Sequence, residues 1–288
     1  MKIRAPAKIN LRLRVVGRRT DGYHLLDTII VPVSLYDEIE IRKVKIRVKN
    51  KKPAPPLIKV NCNHPLVPKD EKNLAYRAAW LLMEKAKTDQ PIEIYIRKRI
   101  PVGAGLGGGS TDAAATLVGL NRFLKLGFSG KQLQRLGLKL GADVPFFVRG
   151  HPARARGIGE RLQPIGPLRR FWALILYPGF PVSTAWVYRN LPAKLTIPSV
   201  NTSIASLLTG SVDFANMLVN DLEKVTCGRY PEIAGLKDKL LDAGAEASLM
   251  SGSGSSVFGI FRSRGKAMQA FRRLWQEEAQ AFLVRVLN

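Results

Sequence analysis

Apolar positions along the chain follow both the strand period and the helix period, which predicts a mixture of the two elements. Residues 2–48 alternate short apolar strands with turns, and the proline-rich residues 52–68 are expected to form an irregular connection. An amphipathic helix is expected to begin at Asp70, and a strand over residues 92–97 follows it. The apolar side of that helix consists of Leu74, Ala75, Ala78, Leu82 and Met83.

Helices and strands continue to alternate irregularly beyond residue 100. A helix is expected from about Ser110 to Leu124, and a capping box at Ser129 and Gln132 predicts another that runs to Gly141. The later elements are a strand at Trp172–Tyr177, helices at about 213–226 and 231–242, a strand–turn–strand at Ser248–Phe261, a helix at about 265–278 and a closing strand. Because there is no regular β-α-β alternation, the α+β class is favoured.

The size and composition of the chain are those of a soluble globular protein. It has 288 residues, of which 46% are hydrophobic and 24% charged, enough to bury a substantial core. Residues 150–166, rich in glycine and arginine, are the predicted boundary between two domains, 1–160 and 161–288. The longest apolar run, near residues 171–177, is too short to span a bilayer, and the N-terminus lacks the apolar core of a signal peptide.

The two cysteines, Cys62 and Cys227, are isolated, so the sequence suggests neither a disulfide framework nor a zinc site. Together with the missing signal peptide, this predicts a cytoplasmic protein.

The formal net charge of +24 is the unusual feature of the composition. Residues 41–60 contain eight Lys or Arg and no Asp or Glu, and charged and apolar positions alternate there as in a half-exposed strand. Such a segment can bind nucleic acid or steer an anionic substrate, or it can be a solvated edge strand whose lysines discourage pairing with other chains. Few aromatic residues are interleaved, so the edge-strand interpretation is favoured and no nucleic-acid partner is expected.

A glycine-rich loop carries the strongest functional signal. Five glycines lie within residues 103–109, between a predicted strand and a predicted helix. Glycine lets backbone N–H groups approach a ligand, and a helix N-terminus adds unpaired N–H groups and a positive dipole end, which together favour a phosphate. The alternative is a tight structural connection.

Two familiar phosphate loops do not match this segment. Gly103, Gly105 and Gly108 satisfy G-x-G-x-x-G, but no acidic residue lies between Asp112 and Asp143 to bind ribose hydroxyls. A Walker A loop needs lysine where the chain has Gly109.

Two charged residues in apolar surroundings are candidates for chemistry. Asp143 precedes Pro145 in an apolar segment, and it either caps a short helix or acts on a substrate. Lys8 lies in an otherwise apolar strand, where it either extends to solvent or pairs with Asp143 beside a transferred phosphoryl group.

Two turns are candidates for ligand binding. Residues 21–24 form a turn with Tyr23 and His24, which is either a plain hairpin or a binding turn. Residues 250–256 form a second glycine- and serine-rich loop, either a bare hairpin or an anion site.

The ordered set of these motifs resembles the GHMP small-molecule kinases over nearly the whole chain. The matching segments are Pro6–Leu11, Asp21–His24, Glu71–Leu74, Gly103–Ser110, Gly141–Phe147 and Met250–Ser256. The resemblance implies a two-domain α+β architecture, with an N-terminal domain like ribosomal protein S5 domain 2 and a ferredoxin-like C-terminal domain. It implies ATP and Mg²⁺ as cofactors, with no metal ligand assigned in the chain, and we expect a monomer or a weak homodimer.

The resemblance is greatest to the branch that phosphorylates the 2-hydroxyl of a cytidine diphosphate ester of methylerythritol, in the non-mevalonate route to isoprenoids. It implies that Asp143 is the general base and Lys8 its partner. It implies that Asn73 and Lys98 lie by the adenosine of ATP. The residues expected around the ATP phosphates are Pro101, Gly103, Gly105, Leu106, Gly107, Gly108, Gly109, Ser110 and Thr111.

Substrate contacts are also implied by the resemblance. Tyr23 and His24 would recognise the cytosine, Tyr188 would stack on it, and Asn10 would lie near the acceptor. Two other functions remain open. One is a GHMP kinase for another alcohol, such as mevalonate or homoserine, which would not need the Tyr23–His24 turn. The other is a basic RNA-binding protein, whose affinity would fall steeply with salt.

Overall fold

The computed structural model describes residues 1–44, 57–168, 170–192, 213–276 and 280–288. The strands are β1 (Lys2–Arg18), β2 (His24–Lys43), β3 (Ile58–Cys62), β4 (Ile92–Arg97), β5 (Ala153–Gly157), β6 (Arg161–Pro164), β7 (Trp172–Tyr177), β8 (Val219–Asn220), β9 (Ala247–Met250), β10 (Val257–Phe261) and β11 (Gln280–Arg285). The helices are α1 (Leu74–Ala86), α2 (Gly108–Phe123), α3 (Gly130–Leu138), α4 (Val144–Arg149), α5 (Thr184–Arg189), α6 (Phe214–Met217), α7 (Glu223–Arg229), α8 (Glu232–Asp242) and α9 (Arg264–Leu274). The predicted α+β class is confirmed.

The described residues group into two compact units that do not follow a single cut in the sequence. The first unit contains residues 1–7, 36–102 and 107–150, and the second contains residues 8–35, 103–106 and 151–288. Strands β1 and β2 therefore contribute residues to both units. The division into domains 1–160 and 161–288 stays a prediction.

The first unit is a sheet covered by helices. Its strand order is β3-β4-β2-β1, with β3 parallel and β2 antiparallel to β4, so that Val60 and Ile41 both flank Ile94. Helix α1 packs on α2, and α2 packs on α4. Fully buried side chains, including Leu82, fill the interior.

The second unit contains an antiparallel sheet of order β11-β7-β10-β9. Numbered in chain order, these strands have the spatial order 4-1-3-2. Helices α5–α8 lie between β7 and β9 in the chain, and α9 lies between β10 and β11, which agrees with the ferredoxin-like expectation. Alongside, β8 pairs with β1, and the hairpin β5–β6 pairs with β2. Most of the region 150–166 is thus the hairpin of β5 and β6, residues 153–164.

Several boundaries differ from those predicted. Residues 58–62 form a strand rather than an irregular connection, because Ile58, Val60 and Cys62 are buried in alternation beside β4. Helix α1 begins after Asn73, which caps it, rather than at Asp70. The predicted helix at 213–226 is interrupted, because Leu218 is extended and β8 pairs with β1. Residues 45–56, which make up most of the basic segment 41–60, lie outside the described residues, so its interpretation as an edge strand stays a prediction.

Helix α3 ends at Leu138, three residues before the predicted end at Gly141, although its capping box at Ser129 and Gln132 is confirmed. The last helix, α9, covers Arg264–Leu274. In the described ranges, no helix is long and apolar enough to cross a membrane.

Candidate active site

The first half of the glycine loop, residues 103–106, is clamped by the second glycine- and serine-rich loop within the second unit. Gly105 has φ +76°, and a Cβ atom there would lie 1.9 Å from the Ser251 carbonyl oxygen. The Ser251 hydroxyl donates to the Gly105 carbonyl (3.1 Å), and the Ser256 N–H donates to the Ala104 carbonyl (3.2 Å). Residue 105 therefore has to be glycine because of its conformation and because another backbone lies against it.

The loop at 250–256 supports the glycine loop rather than forming a bare hairpin. Three of its hydroxyls have protein partners: Ser251 donates to Gly105, Ser253 contacts the Thr184 hydroxyl at 2.7 Å, and Ser255 donates to the Phe180 carbonyl. The buried Ser256 hydroxyl has no partner among the described residues. The loop is buried throughout. It is therefore a support for a phosphate site more than an anion site of its own.

The second half of the glycine loop begins α2 in the first unit. Gly107 is the N-cap, with φ +74°, and no side chain in the described part of the chain caps this end. The first N–H groups of a helix have no partner inside it, so this end can accept an anion. Gly109 is exposed and Ser110 is half-buried, whereas Thr111 is 1% exposed, so Ser110 carries the accessible hydroxyl. Pro101 and Leu106, also expected near the phosphates, are buried.

Asp143 lies close to this helix end in the first unit. It occupies the N-cap position of α4, but its carboxylate makes no capping hydrogen bond to the described helix. The position that a Cβ atom on Gly141 would take is 3.9 Å from the Ser110 hydroxyl oxygen. The turn that carries Asp143 is therefore adjacent to the first turn of α2.

Lys8 belongs to the second unit and is held in a buried polar network. Its side chain is not directed to solvent, since the residue is only 4% exposed. The ammonium donates to the Asn10 side-chain oxygen (2.5 Å), the Asn10 amide donates to the Thr28 hydroxyl (2.9 Å), and that hydroxyl donates to the Arg12 carbonyl (2.7 Å). Thr28 was not predicted, because a single hydroxyl in an apolar strand has no motif around it. The pairing of Lys8 with Asp143 stays a prediction.

Lys8 also lies against both loops of the second unit. Its backbone N–H donates to the Leu106 carbonyl (3.0 Å), and its ammonium lies 3.0 Å from the position of a Cβ atom on Gly252. A side chain larger than hydrogen at Gly252 would displace this ammonium.

The predicted cytosine residues lie in the second unit. The rings of His24 and Tyr188 are stacked, with centroids 5.2 Å apart and planes 27° apart. This separation does not admit a base between them, since stacked rings need about 3.5 Å each. Tyr23 is 61% exposed, so its ring is accessible for stacking. Burial, with a smaller contribution from Arg18, lowers the pKa of His24, which favours its neutral form.

The two residues expected by the adenosine make their contacts within the first unit. The Asn73 side chain accepts from the Ala75 N–H (2.8 Å) and donates to the Pro68 carbonyl (2.6 Å). The Lys98 ammonium pairs with Asp37 at 2.5 Å and with Asp112 at 2.9 Å. Their contact with adenosine stays a prediction.

Comparison with known families gives matches in both the N-terminal and the C-terminal part of the chain. Residues 73–151 match the model of the GHMP kinases N terminal domain, and residues 205–280 match that of the GHMP kinases C terminal domain. A protein of Citrifermentans bemidjiense named 4-diphosphocytidyl-2-C-methyl-D-erythritol kinase is 48% identical over 270 residues, covering 94% of this chain and 92% of that protein. A protein of the same name from Clostridium botulinum is 41% identical over 290 residues, with full coverage of both.

Solved structures give the same result. The crystal structure of a 4-(cytidine 5′-diphospho)-2C-methyl-D-erythritol kinase superposes with a TM-score of 0.82 at 35% identity, with 100% of both chains covered. A homoserine kinase from Cytophaga hutchinsonii has a TM-score of 0.74 at 21% identity, covering 100% of this chain and 94% of that one, so it shares the fold.

Proposed function

The chain belongs to the GHMP kinases and, among them, to the 4-diphosphocytidyl-2-C-methyl-D-erythritol kinases, and we propose that it transfers the γ-phosphoryl group of ATP to the 2-hydroxyl of 4-(cytidine 5′-diphospho)-2-C-methyl-D-erythritol. The single observation that carries this proposal is the adjacency of the first turn of α2 and the turn of Asp143 in the first unit. In this proposal the helix end binds the phosphates and the Asp143 carboxylate acts beside it, as phosphoryl transfer to an alcohol requires.

In this proposal the helix end binds the phosphates of ATP. The N–H groups at the start of α2 and the Ser110 hydroxyl donate to phosphate oxygens. Residues 103–106 keep their conformation because the loop at 250–256 holds them. Lys8, fixed by Asn10, contributes positive charge to the transferred group.

Asp143 orients the acceptor hydroxyl and receives its proton. A carboxylate is a weak base for an alcohol, but the phosphoryl transition state is loose, so the proton can leave late. Positioning of the hydroxyl then contributes together with proton acceptance by Asp143.

The substrate base is bound through Tyr23, His24 and Tyr188 in this proposal. An exposed tyrosine ring offers a stacking surface, and a neutral histidine offers one donor and one acceptor for the edge of the cytosine. Because His24 and Tyr188 contact each other, the base stacks on Tyr23 or separates the two rings.

Mg²⁺ is proposed to accompany ATP. The described residues contain no group of three or more His, Cys, Asp or Glu side chains suited to a metal ion. Phosphate oxygens and water are the ligands that Mg²⁺ prefers, so the nucleotide itself would hold it. When bound, Mg²⁺ neutralises charge on the phosphates. We also propose a cytoplasmic monomer or weak homodimer without a nucleic-acid partner.

The test is ATP-dependent phosphorylation of the cytidyl compound beside mevalonate and homoserine, with an RNA-binding assay at low and high salt. Turnover of the cytidyl compound alone is expected. Turnover of another alcohol would assign a different GHMP kinase activity. RNA binding that weakens steeply with salt, without any turnover, would contradict the proposal.

A further inference from the structure

Three buried ionisable side chains meet at the first turn of α2, in the first unit. Asp37, Lys98 and Asp112 are respectively 0%, 8% and 3% exposed. The Lys98 ammonium contacts both carboxylates, at 2.5 Å to Asp37 and 2.9 Å to Asp112. It also lies 3.0 Å from the position of a Cβ atom on Gly108, the first residue of the helix. We call these three residues the Lys98 cluster.

The Lys98 cluster connects three elements of the first unit. Asp37 lies on β2 and accepts from the backbone N–H groups of Arg99 (2.6 Å) and Ile100 (2.9 Å), just after β4. The Lys98 backbone N–H donates to the Asn63 side-chain oxygen (2.7 Å), which fixes the backbone of Lys98. Asp112 belongs to α2. The ammonium therefore ties the strands to the helix whose N-terminus is the proposed phosphate site.

We infer that Lys98 is a positioning residue: with Asp37 and Asp112 it fixes the first turn of α2, and the proton content of the Lys98 cluster sets the affinity for nucleotide. The inference rests on the proposed function, since it assumes that this helix end binds the phosphates. It gives Lys98 an internal role, distinct from the adenosine contact that the family resemblance implies.

The charge of the cluster depends on Asp112. The Oδ1 atom of Asp112 is buried and has no hydrogen-bond partner among the described residues. Burial raises the pKa of Asp112 to about 8, against the opposing effect of Lys98, and Asp37 adds to the rise. Asp37 accepts hydrogen bonds from Lys98 and from two backbone N–H groups.

Asp112 therefore adds no charge to the cluster at neutral pH and adds one negative charge when it ionises. Among the described residues, Cys62 on β3 is a further titratable group influenced by these three charges, and burial raises the pKa of its thiol, so it stays neutral. This negative charge beside the helix N-terminus repels phosphate and compensates the positive end of the helix dipole that would otherwise attract it. Nucleotide affinity should fall as pH rises through about 8.

The experiment measures binding of a non-hydrolysable ATP analogue with Mg²⁺ to the full-length protein by calorimetry, between about pH 7 and pH 9.5, a range over which Asp112 titrates. We expect the affinity of the wild type to fall about tenfold. Asp112→Asn keeps an oxygen for Lys98 and cannot ionise, so its affinity should equal that of the wild type at pH 7 and stay level. Glu93→Gln, which removes a carboxylate from an ion pair with Lys59 on the same sheet, is the matched control and should follow the wild type.

Steady-state kinetics separate positioning from loss of stability. Asp112→Ala removes the tie between Lys98 and α2, so KM for ATP should rise about tenfold with little change in kcat, and Asp112→Asn should restore it. The inference would be overturned if the nucleotide affinity of the wild type were level across this pH range, or if the affinity of Asp112→Asn fell with pH as that of the wild type does. Pure loss of thermal stability in Asp112→Ala, with KM unchanged, would overturn it as well.

The same data distinguish the inference from the proposed function. A wild type that binds the analogue with the expected pH dependence but phosphorylates no cytidyl substrate contradicts the proposed substrate and supports the Lys98 cluster. A wild type that turns over the cytidyl substrate while the two Asp112 variants match Glu93→Gln in all measurements supports the function and contradicts the cluster.

Discussion

Replacing Gly105 by alanine tests whether the two loops of the second unit act as one structure. The new Cβ atom would lie 1.9 Å from the Ser251 carbonyl oxygen, so that the loop at 250–256 has to withdraw by more than about 1 Å to reach van der Waals contact. The positive φ costs about 1 kcal/mol for a residue other than glycine. Loss of the hydrogen bonds from Ser251 and Ser256 adds about 1 kcal/mol each, so the free energy of unfolding should fall by about 3 kcal/mol.

Gly127→Ala is the matched control. Gly127 has φ +77°, almost the same as Gly105, but no described atom lies within 4 Å of its Cβ position. It should therefore show the conformational cost alone, about 1 kcal/mol. In a thermal melt we expect Tm to fall by about 6–12 °C for Gly105→Ala and by about 2–4 °C for Gly127→Ala. Equal shifts for the two variants would show that the loop at 250–256 does not hold Gly105.

Four further substitutions test the proposed roles. Asp143→Asn should lower kcat by about 10²–10⁴-fold and leave KM for ATP unchanged, and a near-normal kcat would remove Asp143 from the reaction. His24→Ala should raise KM for the cytidyl substrate about tenfold. Because the pKa of His24 lies below its ordinary 6.5, KM of the wild type should be level down to about pH 6.5 and rise only below that pH. A rise of KM that begins at higher pH would contradict the neutral-histidine role. Asn10→Ala should lower kcat about tenfold by releasing the Lys8 ammonium, and Thr28→Val should lower it less because Thr28 acts through Asn10. A larger loss of rate for Thr28→Val than for Asn10→Ala in single-turnover kinetics would contradict this network.

Elements with local signals were predicted from the sequence. The capping box at Ser129 and Gln132 marks the start of α3, and the two strands around the loop at 250–256 were also found. In both places the residues that determine the conformation lie within a few positions of one another. Strand β3 was missed because prolines surround it and its burial depends on pairing with β4.

Elements that depend on distant contacts could not be predicted. The chain leaves the helical conformation at Leu218, since Asn220 donates to the carbonyls of Met250 and Gly252, which are thirty residues away. The same reason applies to the candidate site. Asp37 and Thr28 both lie on β2 beside other polar residues. Only the folded chain shows that Asp37 contacts Lys98 and that Thr28 contacts Asn10, which in turn holds Lys8.

The helix end at Gly107 gives a bound nucleotide a second effect on the protein. Helices α1, α3, α5 and α9 each begin with a side chain that caps them, whereas glycine begins α2 and offers none. Phosphate oxygens in the proposed site would take the place of that cap, so the ligand would complete a secondary-structure element as well as react. Saturation at about 100 times Kd would add about 2.7 kcal/mol to the free energy of unfolding. Amide hydrogen exchange in the first turn of α2 should then slow on binding, and the lifetime of the protein against proteolysis would depend on the supply of nucleotide in the cell.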